Sequence, residues 1–72
     1  MADSNDKRYQ HIAQQRVLLT LKILLAHSSE GITPSQISMT VKTSPSNTTR
    51  DLANLEIAGL AYQRYGRWFS LL

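Results

Sequence analysis

Two stretches of this chain, Thr33-Pro34-Ser35-Gln36 and Ser44-Pro45-Ser46-Asn47, start eleven residues apart, and each carries the signs of a helix beginning. In both, a hydroxyl residue stands where an N-cap accepts a backbone N–H. Proline follows at the first helical position, where no amide proton is needed. Gln36 adds the reciprocal side chain of a capping box. Two helix starts this close leave room for one short helix and a tight turn. Ile37 and Val41, four residues apart, give the short helix an inner face, and Lys42 and Thr43 turn the chain. The helix opening at Pro45 runs to about Ala58, where Gly59 supplies a left-handed stop. Two helices joined by three or four residues form a helix-turn-helix. The remainder of the chain has to cover it.

Upstream, a helical pattern runs from about Lys7 to His27 and ends in the turn-forming Ser28-Ser29-Glu30-Gly31. At about 100° per residue, Val17, Leu18, Leu21, Leu24 and Leu25 share one face, the natural core stripe. A second stripe of Ile12, Leu19, Ile23 and Ala26, with Arg16 among them, lies nearly opposite. Either other elements of the same chain cover it, or it is the seam of a homodimer. Residues 1–6 read as a loose polar arm and residues 7–72 as one domain. Ile32 is a single apolar residue able to add a short strand.

Downstream, Leu60–Arg64 and Arg67–Leu71 flank Tyr65-Gly66, a two-residue hairpin turn. That loop pairs Arg64 with Arg67, Tyr62 with Phe69 and Leu60 with Leu71. Leu60, Tyr62, Phe69 and Leu71 are then expected to pack inward, with Gln63, Trp68 and Ser70 on the other side. Trp68 is expected to pack and not to stack on a base. The fold class is mainly α with a small β-hairpin: a winged helix-turn-helix of three helices and a C-terminal two-stranded wing.

At 72 residues with 42% hydrophobic and 18% charged residues, the chain suits a single small globular domain and excludes a two-domain enzyme. The absence of cysteine removes disulfides, thiolate chemistry and zinc fingers, and suits the cytoplasm. The run Val17 to Ala26 is too short to span a bilayer, and the N-terminus lacks the pattern of a signal peptide. His11 and His27 have no metal-ligand spacing. No nucleophile–base–acid set, glycine-rich phosphate loop or paired carboxylates occur, so neither catalysis nor a cofactor is expected. A net charge of +3 permits a polyanionic partner without requiring one.

The third helix, about residues 45–58, holds the most informative surface. Thr48, Leu52 and Leu55 follow an i, i+4, i+7 path along its buried side, with the Thr48 hydroxyl expected to bond back to the carbonyl of Ser44. Opposite project Ser46, Arg50, Ala53 and Ile57, with Asn47, Thr49 and Asn54 on the flanks. An indifferent solvated face would usually carry Glu, Lys or Gln, because Ser, Thr and Asn are poor helix formers. Short polar side chains led by one arginine suit the major groove of double-stranded DNA. Ser46, Asn47, Thr49 and Arg50 are the expected base readers. Lys42, Ser44, Arg64 and Arg67 are the expected phosphate contacts, the alternative for the charged ones being ordinary surface charge. Ile57 points away from the predicted core and either meets another element of the chain or marks a contact with another protein.

Gln15–Leu19, Gly31–Ile37 and Ser44–Leu60 together resemble the DNA-binding domain of IclR-type bacterial transcription regulators and, more loosely, the MarR-like winged helices. The similarity spans about residues 14–70. It implies a dimer that sets its third helix in the major groove and its hairpin against the backbone or minor groove, often paired through the first helix. Thr48 and Asp51 stand where the family usually has apolar residues. No effector-binding domain is expected, so small-molecule control is not implied. The expected function is that of a small DNA-binding regulator of the kind carried by phages, plasmids and other mobile elements. The rival class is a protein-binding winged helix, an adaptor or an inhibitor of a host machine.

Overall fold

The computed structural model describes the backbone of residues 2–72 and the side chains of residues 12–72. The arm expected over residues 1–6, together with Lys7, Arg8 and His11, lies outside the fully described residues. In chain order the elements are α1 (Ala2–Ala26), α2 (Pro34–Val41), α3 (Pro45–Ile57), β1 (Ala61–Arg64) and β2 (Arg67–Ser70). Three helices are thus followed by an antiparallel hairpin packed on them, a winged-helix-like topology.

Local chemistry sets the helix ends. Thr33 caps α2 with a full capping box: its hydroxyl accepts from the Gln36 amide at 3.3 Å, and Gln36 Oε1 accepts from the Thr33 N–H at 3.2 Å. Ser44 caps α3 without the reciprocal bond, accepting from the Asn47 backbone N–H at 3.1 Å. At the far end of α3, Gly59 takes φ 77°. There the Gly59 N–H reaches Glu56 O at 3.0 Å and the Leu60 N–H reaches Leu55 O at 2.9 Å. This paired C-terminal motif folds Leu60 back against the core.

The core consists of Leu24, Ile32, Ile37, Leu52, Leu55, Ala61 and Trp68, with Val17, Leu21, Ile23, Val41 and Leu60 against it. Two expectations need correction. On α1, Val17, Leu21 and Leu24 face inward as expected, but Leu18 is 64% exposed and Leu25 is also exposed. Thr20 is buried beside Leu24, its hydroxyl satisfied by the Arg16 carbonyl at 2.9 Å. The helix is rotated toward Thr20 because that rotation aims Arg16 at α3.

The hairpin has the expected register, with Arg64 opposite Arg67 and Tyr62 opposite Phe69, yet its inward face is the other one. Ala61 and Trp68 enter the core, while Tyr62 and Leu71 are exposed. The cause is Ile32, which exchanges both backbone hydrogen bonds with Trp68, at 3.2 and 2.8 Å. Directly opposed residues of an antiparallel pair put their side chains on the same face. Buried Ile32 therefore takes Trp68 in with it. On the outer face Tyr62 stacks on Phe69, with ring centroids 5.3 Å apart. Gly31, at φ 75°, makes room beneath: a Cβ there would lie 2.6 Å from Phe69 Cζ.

Candidate nucleic-acid interface

The buried side of α3 comprises Thr48, Asp51, Leu52 and Leu55. Two of these are polar, and each finds a partner on another element. Ser38 Oγ of α2 donates to Thr48 Oγ1 at 2.7 Å, in place of the expected bond from Thr48 to the Ser44 carbonyl. Arg16 of α1 grips Asp51 with both arms of its guanidinium, Nε to Oδ2 at 2.6 Å and Nη2 to Oδ1 at 3.0 Å. Asp51 is 1% exposed and the Arg16 side chain 21%. The hydrogen bond to Asp51 chiefly raises the Arg16 pKa above its ordinary value; burial opposes this, and the carboxylate charge adds to it. A bidentate pair of this kind fixes orientation as well as distance. It joins α1 to α3 at one angle.

Sequence reasoning missed this pair. Its signal was present in two misfits: an acid within the apolar path of α3, and Arg16 among the apolar residues of α1. The acid that interrupts the apolar path of α3 is the residue that anchors the helix.

With that side fixed, Ser46, Thr49 and Arg50 are exposed together on the opposite side. The Thr49 hydroxyl donates to Pro45 O at 3.0 Å, keeping its lone pairs outward. Asn47 is half-buried and its amide donates to Thr43 Oγ1 at 2.9 Å, which ties it to the turn and engages one of its two N–H groups. Ser44 is exposed, but its oxygen serves as the cap of α3. Lys42, exposed, closes α2 in the left-handed conformation at φ 63°. Arg64 and Arg67 are exposed at the hairpin tip as cross-strand partners. The Arg64 guanidinium lies 5.5 Å from the centre of the Tyr65 ring, and Arg67 Nη1 makes a long 3.5 Å contact with Gly31 O.

The chain matches no protein-family model, no curated protein and no solved structure.

The winged-helix-like arrangement therefore rests on topology alone. Of the expected α1 seam, Ile12, Leu19 and Ala26 are exposed and Ile23 is half-buried against the core. Ile57 is 84% exposed. A cleft of about 530 Å³ between α1 and α3 runs beside Arg50 and Asn54, with Val17 and Leu18 on its apolar wall. Among the described residues no His, Cys, Asp and Glu side chains cluster in a way that could hold a metal ion, and no helix is long and apolar enough to cross a membrane.

Proposed function

We propose that this chain binds double-stranded DNA sequence-specifically and acts as a small cytoplasmic transcriptional regulator. The observation that carries the reading is the division of α3: every buried polar side-chain atom on its inner side is satisfied within the fold, while the short Ser46 and Thr49 and the long Arg50 are exposed on its outer side. In the major groove, Arg50 forks onto N7 and O6 of guanine, Asn47 meets adenine, and Ser46 and Thr49 reach base edges or phosphate. Each good bidentate contact contributes about 1 to 3 kcal/mol of base discrimination. Lys42, Ser44, Arg64 and Arg67 hold the phosphate backbone. Two copies pair through the outward side of α1, at Ile12, Leu19 and Ala26 with Ile23 at the margin. No cofactor and no small-molecule effector enter this reading.

Fluorescence-anisotropy titration with mixed duplexes at two salt concentrations tests it. Affinity should fall with salt by a log–log slope of about −0.9 per neutralised phosphate. One observation favours a second reading, a protein-binding adaptor or inhibitor: Ile57 stands exposed at the C-terminal end of the same outward face. No salt-sensitive binding at micromolar protein would favour that reading over the first.

A further inference from the structure

The hairpin tip departs from what folding alone would select, and does so at three neighbouring residues. Tyr65 and Gly66 form the two-residue turn, at φ 54° and φ 76°. Both positions of such a turn need positive φ, which suits Asn, Asp or Gly and disfavours a residue with a bulky side chain. Tyr65 occupies the first of them. Its side chain brings no core packing in return, since the residue is 92% exposed. On either side stand Arg64 and Arg67, directly opposite each other across the ladder. Like charges so placed destabilise a strand pair. Among the described residues neither has a carboxylate partner. The strand register puts both arginines on one face, and the Arg64 guanidinium rests 5.5 Å from the Tyr65 ring centre.

An anion held between two guanidinium groups turns their repulsion into attraction, and a phenol beside them supplies a neutral donor to the same oxygen atoms. We propose that Tyr65 contacts the DNA backbone, its hydroxyl donating to a phosphate oxygen held by Arg64 and Arg67, and that the tip keeps this tyrosine against the demands of folding. This rests on the reading of duplex DNA as the ligand. Residues held in a disfavoured conformation with no core packing in return cluster at functional sites.

The test pairs stability with binding in two variants of the full chain. Tyr65→Asn should raise the melting temperature by about 4 °C and weaken binding to every duplex by about tenfold. Tyr65→Phe, which keeps ring and backbone, should melt as the wild type does and bind about fivefold more weakly. A Tyr65→Asn variant with higher melting temperature and wild-type affinity overturns the proposal while leaving duplex binding intact. A lower melting temperature also overturns it, because the tyrosine would then serve the fold. Losses confined to some duplex sequences would put Tyr65 on a base edge and overturn the phosphate assignment. A wild-type chain with no salt-sensitive duplex binding removes this proposal and the functional reading together.

Discussion

Asp51 is buried on α3 and joined to Arg16 of α1. A carboxylate that is 1% exposed is tolerable only with charge and hydrogen bonds supplied in place, and Arg16 supplies both. Because the folded-state pKa of Arg16 is raised, its contribution is complete below the ordinary arginine range and is lost only as pH rises through that elevated value. The Arg16 side of the pair is therefore constant across neutral pH. Removing one partner differs sharply from removing both. Arg16→Met leaves Asp51 buried and unpaired and should cost about 3 to 5 kcal/mol, read as a lower urea midpoint. The double variant Arg16→Met, Asp51→Leu should recover most of that loss, so that a double-mutant cycle shows strong coupling. Ser38 and Thr48 form a milder case. Thr48→Val strands the Ser38 hydroxyl and should cost about 1 to 2 kcal/mol. None of these partnerships could be read from one position, since each joins residues far apart in the chain; a buried polar residue announces that it has a partner but not which one.

Element boundaries were largely legible, and element faces were not. Caps, prolines and left-handed stops act within four or five residues, so α2, α3 and the hairpin begin and end where the local chemistry puts them. The inward face of the hairpin is decided by Ile32, more than thirty residues before its partner Trp68, and the rotation of α1 by an acid on α3. The same distinction can be measured at two glycines of nearly equal φ, Gly31 at 75° and Gly59 at 77°. Gly59 opens onto free space, and Gly59→Ala should cost about 1 kcal/mol for the backbone alone. Gly31→Ala adds a clash with Phe69 and should cost about 2 to 4 kcal/mol. Equal losses in thermal melts would show that the close approach carries no energy. For the candidate interface, the outward face of α3 was readable from its composition, but the commitment of Asn47 to the turn was not. Arg50→Ala should flatten preference among duplexes, whereas Arg64→Ala and Arg67→Ala should weaken all of them alike. The reverse pattern in competition assays would exchange the two assignments.

For a domain of 72 residues the whole stability is of the order of 4 to 11 kcal/mol, so one buried ion pair matters to the entire molecule. The outward side of α1 bears on the molecule at the same scale. Ile12 and Leu19 are both exposed there, 53% and 44%. If two copies cover it, Ile12→Lys combined with Leu19→Lys should yield a monomer by sedimentation without lowering the melting temperature at high dilution. An unchanged monomer in wild type and variant would remove the seam. Ile23 is a poorer site for that test, because it is half-buried against the core. Finally, the grip of Arg16 on Asp51 makes α1 and α3 a single rigid bracket. In the proposed dimer joined along α1, the gap between the two copies of α3 is then a fixed gauge, not an adjustable hinge. One base pair added to the spacer of a paired operator turns one half-site by about a tenth of a helical turn, and such a bracket has no joint with which to follow it.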